Sequence, residues 1–148
     1  SPFAYDRTRN VYVLYRYYDT WELDGAGQWH RRAVHGSISF SGQTPSLFGF
    51  ALQDSMASDS DLGRTLMYSV IPTSLTTVEG RLWEWTGSTW QRKITAPLPV
   101  NDVALEYDSG RRRMVLPSGG SGFGGVPTDD VFEWRYFADD PTCSLGSP

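Results

Sequence analysis

The chain has one cysteine, Cys143, one lysine, Lys93, and two histidines, His30 and His35, in 148 residues. One cysteine cannot close a disulfide within the chain, so it is a free thiol or half of a bridge to another chain. Without a CxxC pair, two histidines do not make a structural zinc site, and neither metal nor cofactor is expected. No apolar run is long enough to cross a bilayer as a helix. No long block of like charge occurs at a net charge of -4, and the densest basic run is Arg111-Arg112-Arg113. A nucleic-acid footprint is broader than that, so no nucleic-acid partner is expected. No window of helical length carries an apolar stripe at helical spacing. The opening Ser1-Pro2-Phe3-Ala4-Tyr5-Asp6 lacks a basic flank followed by an apolar stretch, so no signal peptide is visible. It starts almost inside a strand-like phrase, as a processed or trimmed chain would.

Aromatic residues make up 14% of the chain, and 15 glycines and 9 prolines are scattered through it. Short apolar runs separated by turn residues predict an all-β protein. One phrase occurs three times. The clearest copy reads Ala57-Ser58-Asp59, Gly63 to Tyr68, Leu82-Trp83-Glu84-Trp85-Thr86-Gly87 and Trp90. An earlier copy reads Ala4-Tyr5-Asp6, Val11 to Tyr15, Asp19 to Gly25 and Trp29. A later one reads Glu106-Tyr107-Asp108, Arg113 to Leu116 and Asp130 to Trp134. The aspartates are 53 (59 minus 6) and 49 (108 minus 59) positions apart, and an apolar residue (Val13, Leu66, Val115) follows each by seven. Fixed spacing of this kind marks a repeat architecture.

In the first unit, about 1–35, the predicted strands are 3–6, 11–18, 20–23 and 29–34, joined by a polar turn at 6–10 and an Asp24-Gly25-Ala26-Gly27 turn. Alternation sets Trp29, Arg31 and Ala33 on one side of the fourth strand. An insertion, 36–54, precedes the second unit, about 55–97, whose strands are expected near 66–71, 81–86 and 90–94, with Pro72 to Gly80 a long connection. The third unit, about 98–148, keeps strands at 113–116 and 131–137 and shows no fourth strand. Asp6, Asp59 and Asp108 are expected to cap the first turn of each unit.

The phrase "AYD, turn, VxVLxxx, DTWExDG, xW" resembles the kelch-type β-propeller repeat in its bacterial variant, including blades like those of the galactose oxidase central domain. The resemblance covers nearly the whole chain as about three blades. It implies four-stranded antiparallel blades stacked radially about a channel, with Trp21, Trp29, Trp83, Trp85, Trp90 and Trp134 packed between blades. The chain departs from the pattern where the family has paired glycines: Arg16-Tyr17, Ser69-Val70 and Ser118-Gly119 stand there. Three blades are fewer than the roughly four of the smallest ordinary propeller. The chain is therefore expected to be a piece of a larger propeller or a self-associating half, a homodimer giving a closed ring. A closed β-barrel is the rival fold.

Short turns fall at one end of such blades, and the elaborated segments 35–54, 71–80 and 117–129 at the other. Loops on a rigid scaffold commonly carry binding. The candidate ligand or partner residues are therefore Arg16, Tyr17, Tyr18, Phe48, Phe50, Ile71 and Phe123. No catalytic residue is nominated, because the repeats contain no unique set of nucleophile, base and orienter. Glu22, Glu84 and Glu133 recur at equivalent places, which argues for scaffold. The copper site of galactose oxidase cannot be carried over, since Cys143 lies in terminal coil and the histidines lie near the first unit. Three function classes stay open: a non-catalytic module binding a protein or glycan, a propeller domain of a secreted carbohydrate-active or oxidase-like enzyme, and a structural subunit of an extracellular assembly. Abundant Gly, Ser and Trp with almost no Lys suits an exported, extracellular or periplasmic, bacterial protein.

Overall fold

The computed structural model describes residues 1–16, 19–33, 54–72, 78–94, 104–117 and 131–134. They contain no helix and form three antiparallel sheets. The first sheet runs in chain order through β1 (Phe3–Asp6), β2 (Val11–Arg16), β3 (Asp19–Leu23) and β4 (Trp29–Ala33). The second repeats that order with β5 (Asp54–Asp59), β6 (Arg64–Pro72), β7 (Val78–Trp85) and β8 (Trp90–Ile94). The third holds β9 (Glu106–Asp108), β10 (Arg113–Pro117) and β11 (Val131–Trp134). The leading strand β1 touches β5 and β6, and β5 touches β9.

The register makes the repeat exact residue by residue. Asp6 pairs with Val11, Asp59 with Arg64 and Asp108 with Arg113. One strand further on, Val13 faces Glu22, Leu66 faces Glu84 and Val115 faces Glu133. Each leading aspartate caps its own turn. Asp6 Oδ1 accepts from the amides of Thr8 and Arg9 at 3.1 Å, Asp59 Oδ1 from Asp61 and Leu62 at 2.9 and 3.0 Å, and Asp108 Oδ1 from Arg111 at 2.9 Å. The last residue of each turn is left-handed: Asn10 at φ 54, Gly63 at φ 64 and Arg112 at φ 55. Glycine adopts that conformation freely and asparagine tolerates it, whereas at Arg112 it is strained. At Gly63 glycine is needed for space as well, because a Cβ there would lie 2.6 Å from Thr8 Oγ1.

Two details differ from the expectations. The second unit's central hairpin is longer: Pro72 pairs with Val78 and Val70 with Gly80, so the ladder takes in Pro72 and residues 78–80 of the expected connection. β-branched Val70, Ile71 and Val78 supply the strand preference that Pro72 and Gly80 obscure. The fourth strands are also bulged. Opposite Thr20 and Trp21 the register skips Arg32, and opposite Leu82 and Trp83 it skips Lys93. The bulge breaks the simple alternation expected along β4. It serves the same purpose twice, since Arg32 Nε reaches Glu22 Oε2 at 2.9 Å and Lys93 Nζ reaches Glu84 Oε2 at 2.7 Å.

Two cores lie between the sheets. The first gathers Ala4, Val13 and Tyr15 of the first sheet with Met56, Met67, Trp83, Trp85 and Trp90 of the second. Tyr15 meets Trp90 edge-on at 6.1 Å, and Trp85 and Trp90 lie 5.2 Å apart. The second gathers Leu66, Tyr68, Val70 and Leu82 with Leu105, Met114 and Leu116 of the third sheet. β6 is therefore buried on both faces, its odd and even residues serving different cores. Each large side chain buried this way contributes about 1.5–3 kcal/mol.

Candidate functional site

The antiparallel order places the turns 7–10, 24–28, 60–63, 86–89 and 109–112 at one end of the sheets. The connections leaving β2, β4, β6 and β10 emerge at the other. The short-turn end is a lattice of ion pairs. Glu22 is buried, and its Oε1 accepts from Trp85 Nε1 of the second sheet at 2.8 Å and from Arg9 Nη1. Burial pushes its carboxyl up, but hydrogen bonds from Trp85, Arg9 and Arg32 outweigh that and hold it below the usual carboxylate range. Asp6 Oδ2 accepts from Arg9 Nε at 2.8 Å and from Thr65 Oγ1, across the sheet gap, at 3.2 Å. Trp90 Nε1 donates to Thr20 Oγ1 at 2.7 Å.

The second gap has its own set. Asp61 Oδ2 accepts from Tyr107 OH at 2.7 Å and Arg112 Nε at 2.6 Å, and these two donors depress its carboxyl. Desolvation and the bond to Asp61 both push the Tyr107 phenol up. Glu133 pairs with Arg113 at 2.5 Å and with Arg111, and Glu84 with Lys93 at 2.7 Å and Arg64 at 3.5 Å. The three glutamates thus hold equivalent positions and each binds two cations. His30 Nε2 meets Asp24 Oδ2 at 2.7 Å, while Asp24 Oδ1 takes the amides of Ala26 and Gln28 at 2.9 Å. That pair fixes an exposed turn. Each of these carboxylates thus has its oxygens engaged by cationic or neutral hydrogen-bond donors.

The elaborated end differs. Arg16 closes β2 opposite Asp19 and is exposed. Ile71 holds the equivalent end of β6 opposite Glu79. Asp54, which opens β5 opposite Ser69, is the described carboxyl pushed up, to about 6, chiefly by burial. Tyr17, Tyr18, Phe48, Phe50 and Phe123 lie outside the described residues, as does the side chain of Ile71. Among the tryptophans, Trp83, Trp85 and Trp90 are buried against the first sheet, Trp21 is half-buried and Trp29 is 47% exposed. Trp134 sits in β11, its side chain outside the described set. Among the described residues no group of three His, Cys, Asp or Glu side chains is placed to hold a metal ion.

Asp54 escaped the sequence reading because nothing local distinguishes it. The exposed aromatic trio Phe3, Tyr5 and Tyr12 also went unnominated, although the i, i+2 spacing of the first two places them on one strand face. In comparisons with known proteins, no family model, curated protein or solved structure matches the chain.

Proposed function

We propose that the chain is a non-catalytic binding module built of kelch-like propeller blades, part or half of a closed ring, in an exported bacterial protein. It takes a protein or glycan partner on the loops at the elaborated end. One observation carries this reading: the large differences in connection length fall at that end. The turns after β1, β5 and β9 are uniform and capped by aspartate, whereas 34–53 joins β4 to β5 and 118–130 joins β10 to β11. A scaffold conserved at one end and elaborated at the other is how loop-borne recognition sites are usually arranged. The antiparallel sheets, related by one register, support the blade reading.

The test is a glycan array and a panel of candidate protein ligands probed with the purified chain. Binding is expected to fall at least tenfold in Tyr17→Ala and in Phe48→Ala, with unchanged thermal melting. Binding that survives both but disappears in Arg112→Ala, at the short-turn end, would place recognition at the wrong end and refute the assignment.

A further inference from the structure

The register assigns equivalent positions across the sheets. Phe3, Met56 and Leu105 are one set, as each lies three before its aspartate. Tyr12, Thr65 and Met114 are another, and Trp29 and Trp90 a third. In the second sheet this face packs on the first: Met56 is 8%, Thr65 0% and Trp90 4% exposed. In the third sheet it packs on the second, with Leu105 at 3% and Met114 at 1%. In the first sheet no sheet among the described residues covers the same face. Phe3 is 48%, Tyr12 39% and Trp29 47% exposed. Phe3 and Tyr12 stack at 5.1 Å with a 7° interplanar angle, and Tyr5 lies 4.7 Å from Tyr12. Exposed aromatic clusters of this kind mark interaction surfaces.

The opposite end of the stack is open in the complementary sense. The first sheet covers the second with Val13, Tyr15 and Thr20, which are 0%, 6% and 1% exposed. Their equivalents in the third sheet are Val115, half-buried, Pro117, exposed, and Val131, 52% exposed. One end therefore presents the face that follows a sheet, and the other the face that precedes one.

We propose that the outer aromatic face of the first sheet docks the free face of the third sheet of a second copy of this chain. The contact continues the two sheet–sheet interfaces already inside the chain, so its partner is defined by the repeat itself. It is heterologous, and such contacts close into a ring when the rotation permits. Two copies of three sheets give six, within the range of about four to eight at which radial sheets close. This inference rests on the blade reading above but not on the assignment of a binding end.

The experiment is light scattering after size exclusion over a range of concentrations. The chain is expected at about twice its 16.6 kDa mass. Tyr12→Glu, on one face, and Val131→Lys, on the other, are each expected to return it to the single-chain mass. Both residues are exposed in the single chain, so the melting of each isolated variant checks that folding is kept. Mixing the two variants should restore the double mass, because one interface of the mixed pair then joins two unaltered faces. A wild-type chain that stays at 16.6 kDa overturns the proposal. So does a dimer indifferent to both variants, or growth beyond two copies. Loss of ligand binding by a chain that still dimerises would count against the binding end alone.

Discussion

Glu22 joins the first sheet to the second, and the cost of removing it can be worked out in advance. Its side chain is 4% exposed, and it accepts hydrogen bonds from Trp85, Arg9 and Arg32. Breaking a buried charged pair by deleting one partner costs about 3–5 kcal/mol. Here the arginines are partly wet, with side chains 31% and 45% exposed, so water recovers part of the loss. Glu22→Ala is therefore expected near the lower end, about 3 kcal/mol. Trp85→Phe keeps an aromatic side chain but removes the indole N–H that donates to a carboxylate, about 1.5–3 kcal/mol before the cost of the smaller ring. If the indole and carboxylate bond as described, the double variant costs less than the sum, with a coupling of about 1–2 kcal/mol. Urea unfolding followed by circular dichroism measures all four corners of the cycle. Trp83→Phe is the control, because its buried indole N–H has no partner among the described residues and should show no coupling to Glu22. A coupling under about 0.5 kcal/mol between Glu22 and Trp85, the scatter of independent sites, would refute the reasoning.

Two further outcomes follow from the same geometry. Gly63→Ala combines φ 64 with a Cβ lying 2.6–2.8 Å from Thr8, so it should destabilise by about 2 kcal/mol, and Thr8→Ala in the same chain should recover part of the loss, as read by thermal melting. Asp54 titrates at about 6 in the folded chain, above its unfolded value of 3.8, so the folded state binds the extra proton in that window. Its contribution is fully present below the unfolded value and is lost as pH rises through about 6, at most about 3 kcal/mol. Asp54→Asn should therefore melt higher than the parent at pH 7 and lose most of that advantage at pH 4.

The repeat was legible because its markers are chemical. An aspartate that caps a turn recurs with an apolar residue seven positions later, and in each unit a glutamate of the third strand pairs in register with that apolar residue. The all-β class followed from composition. The left-handed turn positions were legible at Gly63 and Asn10, whose residue types favour that conformation, but not at Arg112. The β6–β7 ladder ran further than expected because Pro72 and Gly80 look like turn residues, while their pairing is set by the neighbouring strand. The cross-sheet bonds of Glu22 and Asp61 were hidden for the same reason: Trp85 and Tyr107 are 63 and 46 positions away, and nothing local encodes them. Phe48, Phe50 and Phe123 among the candidate binding residues are in long connections, where alternation and spacing give no placement. The open face of the first sheet was illegible because burial there depends on a neighbour, not on the strand's own pattern.

The claim that sheets stack in the order of the chain is tested most directly by nuclear Overhauser contacts from the indole N–H protons. Trp90 Nε1 lies 2.7 Å from Thr20 Oγ1, and Trp85 Nε1 lies 2.8 Å from Glu22 Oε1. The stacking predicts one indole proton with cross-peaks to the Thr20 side chain and another with cross-peaks to Glu22, each removed by Trp90→Phe or Trp85→Phe respectively. Indole protons of Trp85 and Trp90 that exchange rapidly with water and show no contact to the first sheet would contradict it.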